Sequence, residues 1–180
     1  MDLRMEKTEK SIKNAFIELR SRKPLEKITV KELCSIARIN KSTFYSHYRD
    51  IYDLSDAMEA EIVESVTNSI SHPEYIIENP AAFTQELFVA YLSQSSLTDT
   101  VFSGNESSHL ASRIEESVKK LLFEKYPALR KDMVLNLVLS YCIQGAYHAF
   151  RGNSRYDTDE KIAVISTITE NIGPMLEDYE

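Results

Sequence analysis

At 180 residues and 43% hydrophobic, the chain can bury a substantial core and fits one or two small domains. Only four glycines and five prolines disfavour loop-rich and all-β architectures, and Leu, Ile, Ala, Glu and Lys at helical spacing argue for an all-α protein. The net charge of −7 is uneven: residues 1–50 hold twelve Lys/Arg against seven Asp/Glu, which is +5 and leaves −12 for residues 51–180, a distribution suited to meeting phosphate at one end.

The first ten residues, MDLRMEKTEK, lack the apolar run of a secretory leader, so the chain reads as a cytoplasmic protein. Ile12, Ala15, Phe16 and Leu19 recur at helical spacing, with Lys7, Glu9, Lys10 and Lys13 on the outward side. This helix stops before Pro24, whose ring disfavours helical geometry at Lys23. Thr29 and Glu32 form a capping box, in which the hydroxyl accepts an N3 amide and the carboxylate reaches back. Leu33, Ile36 and Ala37 make the apolar face of the helix that follows. Cys34 sits on that face too, where a small side chain permits a close helix crossing. Asn40 is a second N-cap. The segment after it carries Phe44 and Tyr48 on one side and Lys41, Ser42, Thr43, Tyr45 and His47 on the other. Two short capped helices joined by about three residues describe a helix-turn-helix whose second helix enters the major groove of double-stranded DNA.

A fourth helix starts at Asp50 with Asp53 at N3, and carries Leu54, Met58, Ile62, Val66 and Ile70 until His72-Pro73. Its length of ~30 Å exceeds what a three-helix head needs, so helix 50–71 links a head of residues 1–50 to a second domain, 51–180. Asn79-Pro80 opens the next helix, with Phe83, Leu87, Phe88 and Tyr91 following. Residues 93–108 read as a polar loop with a turn at Gly104-Asn105, around a short apolar piece from Leu97 to Phe102. Leu110, Ile114, Val118, Leu121 and Leu122 mark a helix over 107–126. Another spans 129–151, and the last runs from about Thr158 through Ile162, Ile165, Ile168 and Ile172 to Gly173-Pro174.

The stretch Met133 to Phe150 is apolar nearly all round, which predicts burial on most faces, but Asn136, Ser140, Gln144 and His148 make it too polar to span a membrane. Those four residues form a slanting stripe. It either faces solvent or a neighbouring helix's polar edge, or lines a cavity among Phe88, Tyr141 and Tyr147. Gly145 costs ~1 kcal/mol against alanine in mid-helix, a cost that a close helix–helix approach would offset.

Segment 28–54, ITVKELCSIARINKSTFYSHYRDIYDL, resembles the DNA-binding domain of tetracycline-repressor-like (TetR/AcrR-type) transcriptional regulators. The likeness rests on Thr29, Leu33, Ala37, Ile39, Thr43, Phe44, Tyr45, His47 and Leu54, with Cys34, Asn40 and Tyr48 as close substitutes. Two positions depart from the family's pattern. Its turn glycine is Arg38, which is strained if the turn needs positive φ. Its phosphate-contacting lysine is Ile51, and Arg49 and the amides of the fourth helix are the available replacements. The resemblance implies a repressor released by a small-molecule effector. It also implies a C-terminal effector-binding and dimerisation bundle, with the last two helices paired across a homodimer.

The DNA-contacting set is therefore Thr29, Lys31, Asn40, Lys41, Ser42, Thr43, Tyr45, His47 and Arg49. Within it Lys41 reaches a guanine, Tyr45 a phosphate, and Thr29 and Lys31 the flanking backbone. Phe83, Phe88, Tyr91, Tyr141, Gln144 and His148 are the candidate effector contacts, in a cavity bounded by helices 50–71, 80–95, 107–126 and 129–151. An aromatic lining with few charges suits an apolar or aromatic molecule. Ile165, Ile168 and Ile172 are the candidate dimer contacts, because helices 129–151 and 158–176 hold more apolar surface than a monomer comfortably exposes. A dimer also lets two short helices read a palindromic operator. Enzyme chemistry is not expected: the histidines at 47, 72, 109 and 148 are scattered, Ser42 has no local base, and no glycine-rich phosphate loop exists. No cofactor or metal is expected. The alternative is a helical sensor or adaptor that has lost DNA binding.

Overall fold

The computed structural model describes residues 3–104 and 109–176, and all regular structure in them is helical. The helices are α1 (Leu3–Arg20), α2 (Val30–Ala37), α3 (Lys41–Tyr45), α4 (Ile51–Asn68), α5 (Tyr75–Glu78), α6 (Pro80–Ser93), α7 (Ser95–Val101), α8 (His109–Lys125), α9 (Met133–Gly152) and α10 (Thr158–Ile172). None is long and apolar enough to cross a membrane. The contacts divide the chain into two compact units, 1–62 with 95–108, and 63–94 with 109–180.

In the first unit the apolar stripe of α1 is buried as its spacing predicts. Ile12, Ala15, Phe16 and Leu19 are buried, as are Leu33 and Cys34 of α2, Phe44 of α3, and Ile51, Leu54 and Met58 of α4, and α1 lies against α2. Segment 95–101, read from its polarity as loop, is a helix instead. Its Thr98 and Val101 are buried, and the buried Arg20 guanidinium donates to the carbonyls of Val101 and Ser103, both at 2.9 Å. That long-range anchor orders a stretch whose local pattern is too short and polar to declare itself. Gly104 has φ 70°, as a turn glycine should, while Asn105 lies outside the described residues.

The second unit is built around α6, α8, α9 and α10. Asn79 caps α6 by accepting from the Ala82 amide at 3.1 Å, and Asp132 and Asp157 cap α9 and α10 in the same way. Helix α10 lies mainly along α6, and α8 along α9. Gly173, after α10, permits that approach, since a Cβ there would sit 3.2 Å from Pro80 Cγ. Helix α9 begins at Met133 rather than at residue 129, because Pro127–Lys131 forms a 3-10 turn that Asp132 ends. The four-residue α5 was not legible in the sequence.

Candidate functional site

Two features of the chain have site-like geometry, one in each unit. The first is the outer face of α2 and α3. Thr29 and Glu32 form the predicted capping box, with the Glu32 amide donating to Thr29 Oγ1 at 3.3 Å and the Thr29 amide to Glu32 Oε2 at 3.2 Å. Lys23 pairs with the same carboxylate at 2.7 Å, and its ammonium holds the Glu32 carboxyl below its usual range. Helix α2 ends at Arg38, whose φ of 55° and ψ of 44° place it in the left-handed region. It is the one non-glycine with positive φ among the described residues. The amides of Arg38 and Ile39 both donate to the Cys34 carbonyl, closing the turn. Cys34 is buried, and burial pushes its thiol up, so it packs rather than reacts.

Asn40 then caps α3. Its Oδ1 accepts from the Thr43 amide, the Thr43 hydroxyl and the Ser42 hydroxyl, each at 2.7 Å. Phe44 and Tyr48 face inward, with ring centroids 6.0 Å apart, and burial pushes the Tyr48 hydroxyl up to about 12. With that side anchored, Lys41, Ser42, Tyr45 and Arg49 are exposed and Thr43 and His47 half-buried. Thr29, Lys31 and Asn40 are exposed beside them. The structure thus gathers the nine predicted residues on contiguous short elements. They are not equally available. The hydroxyls of Ser42 and Thr43 are turned back to Asn40, and that of Thr29 to Glu32 at 2.8 Å. Lys31 and Lys41 are exposed cations without an ion-pair partner among the described residues.

Arg49 is different. Its guanidinium grips Asp53 at 2.6 Å and 3.1 Å, its amide donates to the same carboxylate at 2.9 Å, and the Asp53 carboxyl is held below its usual range by this arginine. The i,i+4 spacing of Arg49 and Asp53 is the sequence signal for this pair. Arg49 is largely neutralised where it stands. Ile51 is buried in the first unit's core, and the start of α4 carries Asp50 and Asp53, whose charges oppose a phosphate there.

The second feature is a cavity of about 70 Å³ in the second unit, walled by α5, α6, α8 and α9. Phe83, Leu87, Phe88 and Tyr91 supply one side and Leu139, Cys142, Ile143 and Tyr147 the other. No lining residue is charged. The polar groups are few: the Thr84 hydroxyl donates to the Pro80 carbonyl at 2.8 Å, and Arg151 donates to the Tyr91 hydroxyl at 3.4 Å. Burial pushes the Cys142 thiol up. Tyr91 meets Tyr147 and Phe150 edge-on, at 6.4 Å and 6.2 Å between centroids.

Of the six predicted effector contacts, Phe83, Phe88 and Tyr91 line this cavity, and Tyr141, Gln144 and His148 lie elsewhere. The reason is helical phase. Leu139, Cys142, Ile143, Ala146 and Tyr147 hold the inward face of α9, which leaves Tyr141 and His148 exposed. Gln144 and Ser140 are bound to α8 instead. Gln144 Nε2 donates to Glu115 at 2.9 Å and to Ser112 at 3.2 Å, and both the Ser140 hydroxyl and Lys119 donate to Glu115. The middle of the polar stripe therefore meets a neighbouring helix's polar edge, while Asn136 donates to the Arg130 and Asp132 carbonyls and His148 is exposed, so the stripe follows the first of its two readings. No residue of α4 lines the cavity, contrary to the wall inferred from the sequence. Tyr147, read from the sequence as beside a possible cavity, does line it, whereas Cys142 and Ala146 were missed, although their i, i+4 spacing beside Ile143 is the signal that marks them.

The three candidate dimer contacts separate as well. Ile165 is buried within the second unit, Ile168 is exposed, and Ile172 is half-buried. No protein-family model and no curated protein matches this chain.

Proposed function

We propose that this chain is a sequence-specific, DNA-binding transcriptional regulator of the tetracycline-repressor-like type, with a helix-turn-helix head and a C-terminal effector-binding and dimerisation bundle. It acts as a homodimer on a palindromic operator and is released by a small neutral effector. One observation carries this reading. Helix α3, capped by Asn40 and anchored by Phe44 and Tyr48, presents Lys41 and Tyr45 outward on a basic segment. A short capped helix with a cation and a phenol on its free side suits the major groove, where polar groups discriminate base edges.

The proposed release runs through α8. Ala111 and Ile114 of that helix line the cavity, and one turn on, Ser117 shares a hydrogen bond of 3.0 Å with Thr67 at the end of α4. A ligand that shifts α8 thereby reaches α4, and it changes DNA affinity only insofar as it favours one arrangement of the heads over another. The lining calls for an uncharged, apolar or aromatic molecule, since a buried charge would find no counter-charge there.

A second reading has its own observation. Arg49 is neutralised, Ile51 is buried, and Asp50 and Asp53 stand at the start of α4, which suits a helical sensor that does not hold DNA. Selection from a pool of random duplexes at low salt, followed by gel shifts, separates the two. Enrichment of a palindrome with half-sites a turn or more apart supports the regulator. Failure to retain any duplex at about 50 mM salt supports the sensor.

A further inference from the structure

The turn between α2 and α3 forms one wall of a groove on the first unit, and the first turns of α1 form the other. Arg4, Lys7 and Arg38 line this groove, and no carboxylate does. On α1, Arg4, Lys7, Thr8 and Ser11 fall at i, i+3, i+4 and i+7, so they share one side of the helix. Lys7 and Arg38 are exposed and have no ion-pair partner among the described residues. The two hydroxyls donate back to helix carbonyls, Thr8 to Arg4 and Ser11 to Lys7, each at 2.9 Å. What the groove offers is therefore positive charge rather than a set of neutral donors.

Arg38 is the least expected of these cations. Its φ of 55° is a left-handed conformation that glycine or asparagine holds at little cost. The hydrogen bond that closes the turn comes from its backbone amide, which any residue but proline supplies. Glycine, the residue in the resembled family's pattern, would make the same turn without strain but would bring no cation. A strained side chain that its own turn does not need points to a role outside the turn.

We infer, resting on the regulator reading above, that this groove holds a backbone phosphate of the bound duplex, with Arg38 and Lys7 as its ligands. Arg38 stands two residues before Asn40, the cap of α3, so the groove adjoins the N-terminal end of that helix. In a helix-turn-helix that end reaches the base edges, and contacts to nearby phosphates fix how it enters. The start of α4 is poorly suited to that task. Arg49 there is held by Asp53 at 2.6 Å, and Asp50 and Asp53 add negative charge. Arg38 and Lys7 supply the anchoring from the other end of α3. The planar fork of an arginine suits two phosphate oxygens at once, and a lysine adds a point charge.

Gel shifts of the full chain on its selected operator and on an unrelated duplex, between about 50 and 200 mM salt, test it, with thermal melts as the folding control. Arg38→Gly should weaken both complexes alike, about tenfold near 100 mM salt, and flatten the slope of log affinity against log salt by about one unit per subunit. The same variant should melt no lower than the unmodified chain, because it relieves the turn. A purely structural arginine would not lose binding while keeping its fold. Arg38→Lys keeps the charge and should keep the slope. Lys7→Gln lies on exposed helix surface and should give the same change of slope; it decides the matter if the glycine variant melts lower. Lys10→Gln, on the same helix but outside the groove, should leave the slope as it is. An unchanged slope in Arg38→Gly and Lys7→Gln, a loss confined to one base pair, or an equal effect of Lys10→Gln overturns the phosphate groove and leaves the regulator standing. An unmodified chain that retains no duplex at about 50 mM salt overturns both.

Discussion

Arg38 holds a left-handed conformation that residues with a Cβ adopt at a cost, and it does so because the turn between α2 and α3 closes on the Cys34 carbonyl. Arg38→Gly should therefore stabilise the first unit by up to ~1 kcal/mol, visible as a higher melting temperature. A clear fall in melting temperature would show that the arginine makes contacts worth more than the strain. Lys41 is exposed on the free side of α3, so Lys41→Ala should leave the melt unchanged while costing roughly 1–3 kcal/mol of affinity for the selected operator, with relaxed preference at one base pair. Equal weakening on every duplex would reassign Lys41 to a phosphate. At this scale the sequence was most readable where the partners are local. The Thr29–Glu32 box and the Asn40 cap join residues three apart, and no tertiary information is needed to see them.

The polar stripe of α9 shows what an element's neighbours add. Its spacing was plain in the sequence, but only the placement of α8 decided that Ser140 and Gln144 serve Glu115 rather than a ligand. Burial alone would raise the Glu115 carboxyl. The hydrogen bonds from Lys119, Ser140 and Gln144 outweigh that burial and hold it below 4.5. A carboxyl depressed in the folded state contributes stability that is present above its unfolded value and lost as pH falls through the folded one. Glu115→Gln should accordingly lower the urea midpoint of the second unit near pH 7 and matter progressively less from about pH 4.5 downward. A difference that is the same at pH 7 and pH 3 would falsify the assignment. Helices α5 and α7 mark the opposite case, since seven residues or fewer give too little periodicity to be told from loop.

For the molecule as a whole, the decisive quantity is the volume left inside the second unit. About 70 Å³ is roughly half of a cavity known to admit benzene, so any drug-sized ligand has to move Phe83, Phe88 or Tyr147 on entry. Small neutral arenes such as toluene should raise the melting temperature in proportion to occupancy, whereas benzoate, of similar shape but charged, should not. Ala146→Leu adds a side chain of about the cavity's size, and should abolish the toluene shift without lowering the melting temperature of the free protein by more than a few degrees. A toluene shift that survives Ala146→Leu would place the binding site elsewhere.

What the sequence determined by itself was the longer helices and most of their inward faces, because caps and 3.6-residue periodicity are written within a few positions of one another. Ile12, Phe16, Phe44, Leu54 and Ile114 are core for that reason. Only the tertiary structure decided which outward or half-buried groups remain available. Arg49 is spent on Asp53 and Gln144 on Glu115. Tyr141 turns outward while Tyr147 turns in. The physical reason is that a helical pattern specifies the side of a residue to within about a third of a turn, whereas a cavity wall or a free cation depends on which neighbour arrives across it.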